Sequence, residues 1–287
     1  MILITGAGGK TGRHVIRALR ERGVPVRALA RGERIHELAE DGVETLAGDM
    51  LDASVLARAF EGVTGVVHIG PTAHQHEVAM GVAVADAASA AGVERFMLFS
   101  VHHPQLEHLV NHQNKARAED YVVTARLPYT ILQPMHYLQN IDPVDVVREG
   151  AVRLPYSMTT PLAFVDLVDV AEVCAKVLTE DGHRYATYPL CGSDYLGGEE
   201  IAAIIAEVVG RPIAAESVPL PVVLEFLGHG QTMGPYQRAF FSRLFSYYDD
   251  FGITGNPNVL RFLLGREPST MSDYVRRSLA AGNPNDS

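Results

Sequence analysis

Short apolar runs alternate with longer amphipathic segments through the first half of the chain. The apolar runs predict strands at 1–5, 24–30, 43–47, 63–69, 95–100 and 129–133. The segments between them predict helices at 13–22, 34–40, 53–60, 77–91 and 109–125. Near-continuous apolar strands separated by helices are typical of a parallel sheet covered on both faces, so the pattern predicts an α/β fold. Right-handed crossovers give a doubly wound sheet with its ligand across the carboxyl ends of the strands.

A glycine-rich turn joins the first predicted strand to the first predicted helix. Its residues are Gly6, Ala7, Gly8, Gly9, Lys10, Thr11 and Gly12. Glycines in this context let the backbone approach a pyrophosphate, and the following helix presents free N–H groups and its positive dipole end. Lys10 and Thr11 precede the last glycine instead of following it, which is unlike the loop of nucleotide triphosphatases. The turn therefore predicts a dinucleotide site; its alternative is a glycine turn that only lets strand and helix pack closely.

The regular alternation weakens after residue 134. Residues 141–160 look irregular, 164–178 predict a helix, 185–190 a strand and 199–209 an amphipathic helix. We therefore predict a Rossmann domain at 1–192, with an irregular insertion near 135–160 that contributes to a substrate lobe, and a smaller, mostly helical C-terminal substrate lobe at 193–287. Aromatic residues are frequent in that lobe, namely Phe226, Tyr236, Phe240, Phe241, Phe245, Tyr247 and Tyr248. They either line a pocket for a planar substrate or form the core of the lobe.

The end of the second predicted strand indicates which nucleotide binds. NAD sites usually carry an acidic residue there to bind the ribose diol. This chain has Arg31, with Arg27 and Arg34 nearby, and an arginine can pair bidentately with a 2′-phosphate. NADP(H) is therefore the expected cofactor, and Glu33 keeps NAD(H) open as an alternative.

Further cofactor contacts are expected where the next strands end. Asp49 and Met50 follow the third strand, where a carboxylate can meet the adenine amine. Ile69, Gly70 and Pro71 end the fourth strand, where a small or fixed backbone can pass under the adenosine ribose. These assignments are inferred from position alone.

The composition limits the classes of partner. Of the 287 residues, 47% are hydrophobic and 20% charged, which suffices for a large core and excludes a disordered chain. The formal net charge of −10 argues against nucleic-acid binding, which needs a basic face. Cys174 and Cys191 give no disulfide framework and are expected as buried thiols. No apolar run is long enough to span a membrane, and a strand starting at residue 1 leaves no room for a signal peptide, so we expect a cytoplasmic protein.

Several motifs together resemble one known family. They are the glycine turn, Val26–Arg31, Gly48-Asp49-x-x-Asp52, Arg126–Pro134, Phe164-Val-Asp166-x-x-Asp169 and the stretch 252–277 with Leu264-Gly-Arg-Glu-Pro268. The chain resembles, over nearly its whole length, the NmrA-like group of the atypical short-chain dehydrogenase/reductases. The resemblance implies a Rossmann fold and an NAD(P)H-dependent reductase of quinones or aromatic compounds, or a cofactor-sensing regulator without turnover. We include Pro134, at the end of the 126–134 motif, among the expected cofactor contacts.

The wider superfamily carries Tyr-x-x-x-Lys on the helix after the fifth strand, and here the tyrosine is missing. Lys115 stands on that helix, but the residue four positions before it is Asn111. An amide cannot exchange a proton near neutral pH, so ordinary alcohol–ketone interconversion lacks its general acid. Lys115 is expected to hold the nicotinamide ribose or, if burial lowers its pKa, to donate a proton; its alternative is an exposed helix lysine.

Two routes to catalysis remain without the tyrosine. A quinone needs little acid, because it becomes a stabilised aromatic anion on receiving hydride. Otherwise a histidine donates the proton, and His102, His103 and His136 follow the fifth and sixth strands at the expected substrate edge. Ser100 ends the fifth strand, where it can hydrogen-bond a substrate oxygen or the nicotinamide.

A metal site is not expected. His108 and His112 have the spacing of two ligands on one helix face, with His74 and His76 elsewhere, but neither the metalloprotease glutamate nor a cysteine cluster accompanies them. We therefore predict an NAD(P)H-dependent reductase acting on a quinone or another small planar aromatic compound, with no nucleic-acid or membrane partner and a homodimer left open. The alternative is a non-catalytic NAD(P)(H) sensor that binds a protein partner.

Overall fold

The computed structural model describes residues 1–39, 42–227 and 233–282. The predicted helix end at Glu40 and the side chains of Glu33, Arg34 and Phe226 lie outside this description. Contacts divide the chain into two compact units that interleave along the sequence. Unit 1 contains Met1–Glu107, Asn111–Pro134 and Val170–Pro189, and unit 2 contains His108–Val110, Met135–Asp169 and the described residues from Leu190 onward. The division at residue 192 drawn from the sequence stays a prediction.

Unit 1 is built on a seven-stranded sheet. Its strands are β1 (Ile2–Thr5), β2 (Val26–Ala30), β3 (Val43–Ala47), β4 (Gly65–Ile69), β5 (Arg95–Phe99), β6 (Tyr129–Pro134) and β10 (Ala186–Leu190). Their order across the sheet is β10-β6-β5-β4-β1-β2-β3, and the pairings from β3 through β6 are parallel. This order reverses at β1, between β2 and β4, which is the doubly wound arrangement that the apolar pattern predicts.

The helices of the first half connect these strands. They are α1 (Lys10–Glu21), α2 (Ala53–Ala59), α3 (Glu77–Ala91) and α4 (Val110–Thr124), and α6 (Leu167–Thr179) follows later in the chain. The predicted helix at 34–40 is a 3₁₀ segment, Glu33–Leu38. Leu3, Val66 and Leu98 of the sheet share one buried cluster with Met80 and Val84 of α3. This shared core explains why the strands read as apolar runs: residues on both faces are covered by helices.

A polar pair lies inside that core. The Thr5 hydroxyl and the His68 ring nitrogen Nδ1 are 2.8 Å apart, and the Ile69 amide donates to the same hydroxyl oxygen at 3.3 Å. His68 is buried, and the burial, with a smaller effect of the Lys115 charge, lowers its pKa to about 3. The imidazole is therefore neutral at physiological pH and ties the carboxyl end of β1 to β4.

Unit 2 contains two small sheets and most of the later helices. The sheets are β7 (His136–Tyr137), β9 (Leu162–Val165) and β11 (Tyr195–Leu196), in the order β11-β9-β7, and a parallel pair, β8 (Ala151–Leu154) with β12 (Ala214–Ser217). The helices are α5 (Pro143–Glu149), α7 (Gly198–Val209), α8 (Leu220–Leu227), α9 (Pro235–Phe251), α10 (Asn258–Leu264) and α11 (Met271–Ala281). The expectation of a mostly helical C-terminal region is therefore confirmed.

Two buried carboxylates in unit 2 accept hydrogen bonds from residues that are distant in the sequence. Asp166 accepts hydrogen bonds from Gln139 Nε2 at 2.8 Å and from the guanidinium of Arg277. Asp169 accepts from Arg266 Nη2 at 2.8 Å and from the Ser269 amide at 2.6 Å. Desolvation raises the pKa of Asp169, and these donors oppose that effect. The Asp-x-x-Asp spacing noted in the sequence is thus a structural device, because a buried carboxylate must be paired.

Two sequence predictions in this region were wrong. Phe164 and Val165 were assigned to a helix but lie in β9, where the Phe164 carbonyl accepts from the Gly192 amide at 2.7 Å. The helix begins only at Leu167, after an Asp166 side chain that accepts from the Val168 amide at 2.9 Å. Residues 141–160 were assigned as irregular but contain α5 and β8, whose short lengths show no clear period.

The two thiols are buried, as the sequence predicts. Cys174 and Cys191 are both free and buried, and burial raises the pKa of each thiol, that of Cys191 to about 12. Among the residues described, no helix is both long and apolar enough to cross a membrane.

The buried His68 predicts a loss of stability in acid. Its folded-state pKa of about 3 lies below the ordinary 6.5, so the unfolded state binds the extra proton and stability falls as the pH drops below about 6.5. This group alone should cost about 2 kcal/mol between about pH 7.5 and pH 5. Urea titrations at both pH values should show His68→Asn losing less than the wild type by that amount. The exposed His76→Asn is the control, and an unchanged pH dependence in His68→Asn would contradict the assignment.

Candidate functional site

The turn between β1 and α1 requires glycine at two positions. Gly6 has a φ of +65°, and a Cβ there would lie 2.4 Å from the Ile69 carbonyl oxygen. A Cβ on Gly12 would lie 2.6 Å from the carbonyl oxygen of Ala7. Real Cβ atoms do not approach backbone this closely, so any side chain at either position would push the turn apart. The first turn of α1 therefore packs directly against the backbone that follows β1.

Backbone hydrogen bonds fix the turn that precedes α1. The Gly9 amide donates to the Gly6 carbonyl at 3.1 Å, and the Ala7 amide donates to the Leu29 carbonyl at 3.2 Å, which fixes the turn against β2. Gly9 is the N-cap, so α1 lacks the side-chain cap that Ser, Asp or Asn provides. The first turn, Lys10 to Gly12, carries a lysine and no carboxylate. The N-terminus of α1, with the positive end of the helix dipole, is thus the feature of this turn that suits a phosphate.

The ends of β2 and β3 bring Arg31 and Asp49 side by side. Their closest charged atoms, Nη1 and Oδ2, are 3.9 Å apart, and both side chains are about half exposed (54% and 44%). Asp49 Oδ1 also accepts a hydrogen bond from the Leu51 amide at 2.9 Å, so this oxygen stabilises the local turn after β3. The loose contact leaves the Arg31 guanidinium able to meet a phosphate at this edge.

Arg27 does not share that role. It binds Glu44 at 2.8 Å and also donates to the carbonyls of Ala59 and Glu61 at 2.8 and 2.6 Å. Met50, expected as a cofactor contact, is buried in the core of unit 1. The expectation for Met50 came from position alone, whereas Arg27 was noted only as a basic residue near Arg31.

Lys115 lies at the carboxyl ends of β4 and β5. Its Nζ is 2.8 Å from Glu77 Oε1 and donates to the Phe99 carbonyl at 3.1 Å. The pair is largely buried, with 15% of the lysine side chain and 6% of the glutamate side chain exposed. A Cβ on Gly70 would lie 3.2 Å from Nζ, so the ammonium stands directly beside the predicted Ile69-Gly70-Pro71 edge. The alternative of an exposed helix lysine is therefore wrong.

The ion pair narrows what Lys115 can do. An ammonium has three N–H donors, of which Glu77 and Phe99 take two. A hydroxyl pair such as that of a ribose can take the third. The geometry therefore suits holding a ligand hydroxyl.

Ser100 is held by a carboxylate from the same helix as Lys115. Glu119 accepts from the Ser100 hydroxyl, and Gln133 Nε2 donates to both Glu119 oxygens at 3.0 and 3.2 Å. The Ser100 amide donates to the Leu132 carbonyl at 2.8 Å, which extends the pairing of β5 with β6. We call these three residues, Ser100, Glu119 and Gln133, the Glu119 clasp.

His102 is a poor acid in this structure. It is buried, its Nδ1 is 3.4 Å from the Gln133 carbonyl oxygen, and its amide donates to the carbonyl of Pro134 at 3.0 Å. Burial, then the neighbouring His103 charge, lowers the pKa of His102 to about 4. The ring is therefore neutral near pH 7, and an imidazole without its extra proton is a weak proton donor.

The other predicted histidines have structural neighbours. His112 is buried in α4, with Nδ1 2.7 Å from the His103 carbonyl oxygen. His136 belongs to unit 2. The centroid of its ring lies 5.3 Å from that of Phe164 and 5.5 Å from that of Tyr248, both in edge-to-face contact. Of the C-terminal aromatic residues, Phe240 and Tyr248 are buried, as in a core. Within the described ranges no group of histidine, cysteine and carboxylate side chains is arranged to hold a metal ion.

Sequence reasoning missed Glu77 and Glu119. Glu119 follows Lys115 by one helical turn, and this spacing places both on one face of α4, so the signal was present. Glu77 has no local signal, because its partner is remote in sequence and meets it only through the strand order.

Comparison with known proteins places the chain in a family. The model of the NmrA-like family matches residues 1–275. This protein belongs to the NmrA-like family. The match spans residues of both compact units.

Relatives of this NmrA-like protein include NAD(P)H-dependent reductases. The chain is 27% identical to the NAD(P)H azoreductase of Xenophilus azovorans over 98% of its own length and 99% of the relative's. It is 26% identical to quinone oxidoreductase 2 of Escherichia coli over 76% of its length and 78% of the relative's.

Solved structures agree on the fold. The triphenylmethane reductase of Citrobacter sp. has a TM-score of 0.82 and 25% identity, covering 97% of this chain and 99% of that one. A second structure of that reductase, complexed with NADP(H), has a TM-score of 0.81 at 24% identity, covering 96% and 99%. The α/β fold of the NmrA-like protein is thus confirmed.

The glycine turn gives a direct test of the site. Gly12→Ala forces a Cβ against the Ala7 backbone, so it should weaken binding of the nicotinamide cofactor by at least about tenfold. Calorimetric titration with NADPH measures this loss. Gly81→Ala, in helix α3, is the matched control. A Cβ at Gly81 would lie an ordinary 3.5 Å from its nearest neighbour, His68 Nε2. Equal affinities in the two variants would refute the assignment.

Proposed function

We propose that this protein is an NADPH-dependent reductase of quinones or related planar aromatic compounds. The observation that carries this proposal is the position of Lys115. Glu77 and the Phe99 carbonyl hold its ammonium at the same strand edge as the glycine turn. Because parallel strands end at one edge, a dinucleotide seated on the turn extends along that edge towards Lys115. Bound there, NADPH supplies a hydride.

Each group along the edge has one task in this proposal. The β1–α1 turn and the N-terminus of α1 bind the pyrophosphate. Arg31 pairs with the 2′-phosphate, for which its exposed and loosely held guanidinium is suited. Lys115 donates its remaining N–H to the nicotinamide ribose. The preference for NADP(H) over NAD(H) therefore depends on Arg31.

The acceptor class follows from which acids this edge lacks. Position 111 is asparagine, His102 is neutral near pH 7 and the Lys115 ammonium is held by a carboxylate. A ketone needs a strong proton donor as hydride arrives, whereas a quinone yields an aromatic anion that water can protonate later. The names of the azoreductase and quinone oxidoreductase relatives support a conjugated, electron-poor acceptor.

A second candidate is a cofactor sensor without turnover. The observation in its favour is the same missing tyrosine, since a protein that only binds NADP(H) needs no proton donor. The two candidates differ in one measurable respect, which is oxidation of the bound cofactor.

The deciding experiment follows cofactor absorbance with a panel of quinones and aromatic ketones. The reductase proposal expects oxidation of NADPH with quinones and little with ketones. Tight NADPH binding without oxidation across the panel would favour the sensor.

A double variant that replaces the Lys115–Glu77 ion pair with two neutral side chains tests whether Lys115 takes part in turnover. Lys115→Met alone would leave Glu77 buried without its cation, so it should be combined with Glu77→Gln. The double variant should fold and lose about tenfold or more in kcat/KM. Unchanged kinetics would remove Lys115 from the site.

Arg31 should decide the choice of nucleotide. Arg31→Ala removes a charged partner of the 2′-phosphate, so the dissociation constant for NADPH should rise by about tenfold to a hundredfold while that for NADH stays nearly constant. The control is Arg22→Ala, whose side chain lies on the surface near Thr179. Equal effects on both cofactors would refute the phosphate assignment.

A further inference from the structure

The Glu119 clasp sets the direction of the hydrogen bonds at the end of β5. As a carboxylate, Glu119 can only accept, so the single Ser100 proton is turned towards it. The Gln133 amide nitrogen is likewise turned towards Glu119, which leaves its Oε1 pointing away from that carboxylate. Ser100 Oγ and Gln133 Oε1 therefore have lone pairs, but no proton, to offer a further partner.

The clasp is firmly built. Ser100 is buried, and its backbone is fixed by the bond from its amide to Leu132. Gln133 lies within β6 and Glu119 on α4, so all three side chains come from regular elements of unit 1. A hydrogen bond to a charged acceptor is about twice as strong as a neutral one, so the Ser100 proton does not swing freely to another partner.

We infer that Glu119 makes Ser100 and Gln133 acceptors for the amide N–H₂ group of the nicotinamide carboxamide. This inference rests on the proposed function, because it needs a nicotinamide cofactor at the carboxyl edge. A quinone oxygen is an acceptor and has no proton to offer, so it cannot pair with two further acceptors. The carboxamide of the cofactor carries two N–H donors, which match them. Glu119 is thus a positioning residue that fixes which way the nicotinamide ring lies.

The test compares NADP⁺ with its acetylpyridine analogue, in which a methyl group replaces the amide nitrogen. Binding to the full-length protein is measured by calorimetry without any acceptor present. The wild type should bind NADP⁺ about tenfold more tightly than the analogue, which lacks the donors. Glu119→Gln releases the Ser100 proton, so the preference should fall to about twofold or less.

Two further variants keep the result interpretable. Asp120→Asn removes an exposed carboxylate next to Glu119 on the same helix and should retain the tenfold preference. Ser100→Ala removes one acceptor outright, should also reduce the preference, and carries the test if Glu119→Gln fails to fold.

The outcomes separate the inference from the proposed function. A wild type that binds both compounds equally, or a Glu119→Gln variant that keeps the full preference, overturns the inference and leaves the reductase standing. The expected preference without any NADPH oxidation supports the inference and removes the reductase. Absence of binding by either compound overturns both.

Discussion

Backbone contact between β1 and α1 is the constraint on which the rest of the structure depends. Gly12 lets α1 approach the backbone of Ala7, just after β1, and Gly6 lets the same turn approach Ile69 at the end of β4; any side chain at either position would collide. That contact starts the helix at the carboxyl edge of the sheet and aims its N-terminus along this edge. Arg31, Lys115 and Ser100 are relevant only because the same edge collects the ends of the other parallel strands.

The two cations along that edge differ in exposure and in how tightly a carboxylate holds them. Arg31 lies at the β2 end in a loose, exposed contact, whereas Lys115 at the β4 and β5 ends is tightly paired and largely buried. An exposed guanidinium can exchange its partner for a phosphate at little cost. A buried ammonium cannot lose its carboxylate without a large penalty, so in the proposed function Lys115 keeps Glu77 and adds a ribose hydroxyl as a further partner. The two cations thus suit the two ends of one dinucleotide.

The sequence predicted the sheet and the glycine turn well because both depend on short-range patterns. Apolar runs report burial on both sheet faces, and strand ends in a parallel sheet share an edge, which is why the position of Ser100 after β5 could be predicted. Lys115 was singled out by the resemblance to the superfamily's Tyr-x-x-x-Lys pattern, and its role stays a prediction. The β9 strand was missed because Leu162–Val165 and the following helix form one continuous apolar stretch, in which period alone does not mark the break at Asp166. Glu77 was missed because ion pairing across the sheet edge leaves no local signature. Position likewise does not reveal which way a side chain turns, and that of Met50 turns into the core of unit 1.

The two cysteines have a consequence for a protein proposed to handle quinones. Quinones are electrophiles that add to thiolates, and the thiolate, not the thiol, is the reactive species. Both sulfurs are buried and both thiols hold their protons far above neutral pH. The folded chain therefore offers a quinone no thiolate, and arylation of either cysteine would begin only where the protein locally unfolds.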